Sequence, residues 1–323
     1  MAHEIDMSAG YAAAAFARKP AWHGLGKVMP GQMTAEEALK EAGLDWGVEM
    51  HPIYRPNRDG DLQMIEGRRC VVRDDTWGLL GHVSDKFVPL QNSEQCDFIN
   101  SLIGQGAKVE SAGSLRDGKR IWFLVDLKTS FDALPGDEIH NYLLSINGHD
   151  GMTCWQGVLT DVRVVCANTL SMALEDTESK FGRFVKLRHN GNLEANIEMA
   201  RNALMLGKKR SEIAAAEAKA LVKRKMDTEA LGRFFSEQVA KMGFSSKERE
   251  ELVVDQLREN LDSPTNSLKG MRGTAWQAFN VLSEWVDHAP RKVGAGVRFE
   301  SVMLGEGSKI KTNAWKTLLE TAV

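Results

Sequence analysis

His149, Asp150, Asp161, Arg163 and Cys166 fall within eighteen positions of one another in a chain of 323 residues. A histidine beside a carboxylate can exchange protons or hold a metal, and a cysteine near a histidine can act as a nucleophile. The same residue types have plainer uses. Asn147-Gly148-His149-Asp150-Gly151 supplies the glycines and Asx residues that a tight hairpin turn selects for backbone reasons. The His-Asp pair has no third ligand at a telling spacing, so the sequence assigns neither catalytic residues nor a metal site. The four cysteines, Cys70, Cys96, Cys154 and Cys166, form no CxxC pair. They read as reduced thiols; a catalytic Cys166 with His149 or His189 as its base is the minor alternative.

The elements that position these residues follow from periodicity. Tyr142 to Asn147 alternates as a strand, and Met152 to about Val165 is a second strand. Asn168 or Thr169 then caps a predicted short helix carrying Leu170, Met172 and Leu174. Upstream, residues 1–33 read as an irregular lead-in, with Trp22 anchoring an extended arm. Thr34-Ala35-Glu36-Glu37 is a capping box opening a short helix. Strands are expected near Val48 to Ile53, Gln63 to Arg73 and Trp77 to Val83, with Pro52 and Pro56 stopping the first. Ser93 is the predicted cap of a helix to about Gly104. Ala107 to Leu115 and Lys119 to Leu127 form a further hairpin about Arg116-Asp117-Gly118.

The resulting order, strand-strand-helix-strand-strand-strand-helix, is that of an α+β protein with an antiparallel sheet covered on one face by helices. Beyond Phe181 the pattern becomes helical from Leu193 to about Val286, with Trp276 on an amphipathic helix and a last helix over Lys309 to Leu319. We divide the chain into an N-terminal arm and short helix (1–45), an α+β core (46–190) and a helical C-terminal region (191–323). The composition, 43% hydrophobic and 26% charged, is that of a globular protein. A net charge of −3 excludes a uniformly basic nucleic-acid coat, so any such binding needs a local basic groove. No apolar run reaches the ~20 residues of a membrane span, and no signal peptide is apparent.

Trp22-His23-Gly24-Leu25-Gly26, Asn147 to Gly151, Arg163-Val164-Val165-Cys166-Ala167-Asn168-Thr169-Leu170, Arg188-His189 and Gly273-Thr274-Ala275-Trp276 with Asn280 carry a resemblance. They resemble the phage/plasmid-like protein family, a domain of unknown function of DUF 932 type. The resemblance implies a phage, prophage or plasmid setting and hence a bacterial cytoplasm, and it implies no activity. The element order from Gln63 to Leu174 is also similar to Rad52-like single-strand annealing proteins, an analogy of fold.

These readings lead to three functional expectations. The first is an ATP-independent single-stranded DNA-binding and annealing protein, needing no cofactor, which holds phosphates in a basic groove of a ring or filament. Its cations would be Arg116, Lys119, Arg120, Arg163, Lys186 and Arg188, and a phage exonuclease or a host single-strand-binding protein would be a further partner. Asn147, His149, Asp150, Asn168 and Trp276 are motif residues without an assigned role. The second is a non-enzymatic protein that docks a host or phage protein. The third is a metal-dependent enzyme acting on nucleic acid through His149 and Asp150.

Overall fold

A computed structural model of the protein describes residues 5–8, 10–18, 25–104, 108–163, 168–170, 184–187, 211–289, 301–302 and 305–320, with the backbone alone at 102–103, 163, 168–170 and 184–187. Eleven strands and seven helices lie within them. The strands are β1 Ala14–Ala17, β2 Lys27–Met29, β3 Val48–Pro56, β4 Leu62–Arg73, β5 Leu79–Ser84, β6 Lys108–Leu115, β7 Arg120–Asp132, β8 Glu138–Gly148, β9 Trp155–Arg163, β10 Asn168–Leu170 and β11 Phe184–Leu187. The helices are α1 Ala35–Glu41, α2 Asn92–Ile103, α3 over 211–223, α4 Thr228–Lys241, α5 Lys247–Glu259, α6 Ala275–His288 and α7 Glu306–Glu320. The protein is α+β, with its helices concentrated toward the C-terminus.

The strands form two sheets rather than the single sheet expected. The larger runs β10-β9-β8-β7-β6-β1-β2, with β11 also pairing β9; the smaller is β3-β4-β5. Pairing is antiparallel apart from β1 with β2. Alternation along β7 explains the two layers on the large sheet. Ile121, Phe123 and Val125 point to one face and pack with Ala35, Ala38, Cys96 and Ile99 of α1 and α2. Trp122 points to the other with Leu144, Ile146 and Val158. Burial of each of the larger side chains, such as Ile121, Phe123, Val125 and Leu144, contributes about 1.5–3 kcal/mol. Gly113 sits opposite Trp122 because a Cβ there would lie 2.1 Å from the indole.

Several local expectations are corrected. The lead-in is not wholly irregular: β1 and β2 extend the large sheet, because β6 offers β1 an edge on which to pair. Strand β3 continues through Pro52 to Pro56, since it is an edge strand where a missing N–H is tolerated. The cap of α2 is Gln91, not Ser93; its backbone N donates to the Glu94 carboxylate, and its side-chain Oε1 accepts from Val48 N. Residues 168–170 form β10 rather than opening a helix, because β9 satisfies their backbone through the Asn168–Arg163 register. Met172, Leu174, Trp22 and the helix expected from Leu193 lie outside the described residues.

The C-terminal helices share a separate apolar core. Trp276, Phe279 and Trp315 are fully buried, with the Phe279 and Trp315 rings 4.8 Å apart and edge-on. This core also takes Ala133, Leu134 and Ile139 from the β7–β8 end of the sheet. There the Trp276 Nε1–H donates to the buried Asp137 carboxylate at 2.7 Å. Trp276, a motif residue by sequence, is a core residue that docks the helices on the sheet.

Candidate nucleic-acid interface

The basic hairpin expected at Arg116-Asp117-Gly118 exists. It closes β6 and β7 through a hydrogen bond from Lys119 N to Arg116 O of 3.2 Å. Arg116 and Asp117 both adopt φ of +56°. Asp tolerates this left-handed conformation, whereas an Arg held there carries a strain of about 1–2 kcal/mol. Gly118 follows because a Cβ would lie 3.1 Å from the Arg73 guanidinium and 3.2 Å from the Trp46 ring. Arg116, Lys119 and Arg120 are therefore brought together, half-buried, on one turn. They share this rim with acids: Asp117 is exposed on the same turn, and Arg120 Nε lies 3.9 Å from Asp150 Oδ2.

Beneath the turn lies a buried guanidinium. Arg73 Nη1 donates to Asp6 Oδ2 at 2.5 Å and to Ser8 Oγ at 2.9 Å. Its Nε and Nη2 grip both oxygens of Asp75 at 2.9 and 2.7 Å, a bidentate pair. Its flat face lies 4.1 Å from the Trp46 ring centre. Burial works to discharge the guanidinium, but the hydrogen bond and charge of Asp75 and Asp6 outweigh it, and its pKa is raised. The hydrogen bond from Arg73 holds the Asp75 carboxyl below the usual range. Asp6 accepts further from Ser114 Oγ, Ser8 N and Ser8 Oγ.

The motif turn adjoins this cluster. His149 is fully buried, edge-on to Trp46 at 5.6 Å, and its Nε2 lies 2.8 Å from Asn92 Oδ1. The Asn92 Nδ2 donates to Leu44 O and Trp46 O, so its Oδ1 faces the histidine and the imidazole donates from Nε2. His149 N donates to Lys119 O at 2.9 Å, tying the two turns together. Asp150 Oδ1 accepts from Met152 N and Thr153 N, both at 2.8 Å. Asn147 Nδ2 donates to Leu90 O, just before α2. The turn also presses on β5: a Cβ on Gly81 would meet Asp150 O at 2.4 Å, and one on Gly151 would meet Val83 at 2.6 Å. Asn147, His149 and Asp150 thus join the large sheet to the small sheet and to α2.

The remaining expected cations stand elsewhere. Arg120 pairs with Gly148 and Arg163 with Ile139, nine residues away along β8, about 30 Å at ~3.4 Å per residue. Arg163 is therefore at the opposite end of the sheet from the basic turn. Lys186 pairs with Gln156 near the turn end of β9, and Asn168 lies beside Arg163. Arg188, His189 and Cys166 lie outside the described residues. Cys96 is buried, and burial pushes its thiol up to about 12. Among the described residues no three His, Cys, Asp or Glu side chains are grouped to hold a metal ion. No helix among them is long and apolar enough to cross a membrane.

The family follows from comparison with known proteins. Residues 79–315 match the family described as a domain of unknown function, DUF932. The chain belongs to the DUF932 family. No curated protein and no solved structure matches it. The matched span opens at the first residue of β5 and ends within α7, so it contains both turns, Asn92 and Trp276. Asp6, Trp46 and Arg73 precede it. Sequence reasoning missed these three, although a signal existed: Arg73 falls two residues after Val71, on the inward parity of β4, where a charge must be paired.

Proposed function

We propose that this DUF932 protein is an ATP-independent single-stranded DNA-binding and annealing protein of phage or plasmid recombination, acting as an oligomer in the bacterial cytoplasm with a Rad52-like arrangement. The observation that supports it is the fixed turn carrying Arg116, Lys119 and Arg120. A phosphate-binding rim requires cations whose backbone is held while their heads reach solvent, and Arg73, Gly118 and His149 brace this turn from below. Charge on a rigid end leaves the bases free to pair with a complement. Arg163 would join the same groove where the strand runs the length of β9 or where a neighbouring copy presents it. Lys186, on β11, would extend the groove at the β9–β11 edge, and Arg188 is the further cation of this reading. A phage exonuclease or a host single-strand-binding protein would deliver or share the DNA. At His149 and Asp150 the described contacts include Asn92, Trp46, Lys119, Arg120 and their own turn, an arrangement that supports a structural use of the pair more directly than the enzyme reading.

The test is binding of a fluorescent oligonucleotide across a salt series, followed by an annealing assay with its complement. Affinity should fall with salt at a slope near −0.7 per phosphate contacted. The Lys119→Gln variant should lower that slope by about 0.7, with little change in sequence preference. Absence of single-strand binding at low salt, in a folded protein, would overturn the proposal.

A further inference from the structure

Two turns meet on Arg73. The β4–β5 hairpin loops through Asp74 to Trp77, and it is closed by Arg73 N donating to Gly78 O at 3.0 Å and Trp77 N to Arg73 O at 3.1 Å. A Cβ on Gly78 would lie 3.9 Å from Arg73 Cδ, and one on Gly118 of the basic turn would lie 3.1 Å from the same atom. The two positions are therefore at most about 7 Å apart. The turn that carries Trp77 stands beside the turn that carries Arg116 and Lys119.

Both turns are strained. Among the described residues five other than glycine have positive φ, and three of them, Trp77, Arg116 and Asp117, are on this pair of turns. Trp77 has φ of +57°. A hairpin loop gives its left-handed position most readily to Gly or Asn, because a Cβ there crowds the following carbonyl. Gly78 stands next to it and does not take that conformation. Burial does not offset the cost: Trp77 is 68% exposed, with its ring tilted against His51 at 5.4 Å. A bulky side chain held in a costly backbone conformation and presented to solvent marks a contact site.

The chemistry beside the indole decides which contact. The nearest carboxylates are turned inward: Asp75 and Asp6 onto Arg73, and Asp74 Oδ1 onto Gly47 N at 2.9 Å. Asp117 stays exposed on the rim with the cations. An exposed indole next to fixed cations supplies the two parts of a single-strand site, a face for a base and charge for its phosphates. We propose that Trp77 is a stacking platform for one base of a single DNA strand whose neighbouring phosphates lie on Arg116 and Lys119. Every base has a π-face, so the contact is indifferent to sequence, and stacking leaves the pairing edge of the base free for a complement. The inference rests on the single-strand reading above and adds to it a base contact.

The test compares two fluorescent strands of equal length and charge, an oligothymidylate and a fully abasic strand, binding to the full chain at low salt. Trp77→Asn should weaken oligothymidylate binding about 5- to 150-fold, the size of one lost stack. It should leave abasic binding and the salt slope unchanged, and Trp77→Phe should keep most of the affinity. Asn suits the left-handed position, so the urea midpoint of Trp77→Asn should be no lower than that of the unmodified protein. Unchanged oligothymidylate affinity, an equal loss on both strands, or a lowered midpoint would each overturn the assignment of Trp77 while leaving the single-strand reading in place. An unmodified protein that binds neither strand overturns both.

Discussion

The junction between the two sheets and the C-terminal helical core each bury one cation with a carboxylate, yet they are built on different principles. In the helical core, Lys311 Nζ donates to Asp287 Oδ1 at 2.7 Å, linking two adjacent helices within an interior dominated by Trp276, Phe279 and Trp315. At the junction, Arg73 gathers Asp6, Ser8, Trp46 and Asp75 from separate parts of the chain beneath the Gly118 turn. The first is a mainly apolar core that includes the Lys311–Asp287 ion pair. The second is a polar network in which every carboxylate oxygen of Asp6 and Asp75 has a donor. Apolar packing tolerates substitution of similar volume, whereas a satisfied network fails when one member is removed. The rigid end of the sheet, where the basic turn sits, rests on the less forgiving of the two.

The sharpest break of this comparison comes from paired substitutions. Arg73→Met and Lys311→Met should each destabilise by about 3–5 kcal/mol, because each strands a buried carboxylate. Adding Asp287→Leu to Lys311→Met should restore much of the loss. Adding Asp6→Leu to Arg73→Met should not, since Ser8, Ser114 and Asp75 remain without their partner. Urea midpoints of the four variants measure this; equal recovery in both regions would erase the distinction. Next in size, Gly81→Ala should cost about 1–3 kcal/mol, because its Cβ meets the Asp150 backbone, which cannot swing aside as a side chain can. Gly243→Ala, beside the helical core, meets no neighbouring atom and carries only the strain of its φ of +68°.

A smaller effect is expected from pH. The folded-state pKa of Asp75 is depressed by Arg73, so its contribution is present above the ordinary carboxylate value and is lost as pH falls through the lower folded value. Asp75 is 37% exposed, and solvent screening keeps the contribution below about 1 kcal/mol. The stability difference between the protein and Asp75→Asn should therefore be steady near neutrality and close in acid; a difference that widened in acid would contradict the pairing. Smallest of all, Lys119→Gln should leave stability within about 0.5 kcal/mol while changing the salt dependence of DNA binding. A large loss of stability there would move Lys119 from the rim into the bracing.

Much of the local structure was legible. The capping box at Thr34 and Glu37 forms as read, because it needs only residues three apart. The β6–β7 and β8–β9 hairpins form where Gly and Asx residues permit tight turns. The misreadings share one cause, a partner distant in sequence. β1 is a strand because β6 lies beside it, and residues 168–170 are a strand because β9 does. Pro52 does not stop β3, because among the described residues no strand pairs on the outer side of that strand. Of the candidate site, the cluster at Arg116, Lys119 and Arg120 was legible, since one turn contains it; the place of Arg163 was not.

The sequence by itself determined the α+β class, the helical C-terminal region, most turns and the family, all of which rest on periodicity, turn chemistry and motif identity. The tertiary structure decided which charges are buried and which face water. Arg73 and Arg116 are the same residue type beside similar turns, yet one is sealed under an indole and the other lies on the rim. It also decided that Arg163 stands about 30 Å from the basic turn, because antiparallel register carries the two ends of β9 to opposite edges of the fold. Desolvation and register depend on what packs alongside a residue, and neither is encoded in its neighbours along the chain.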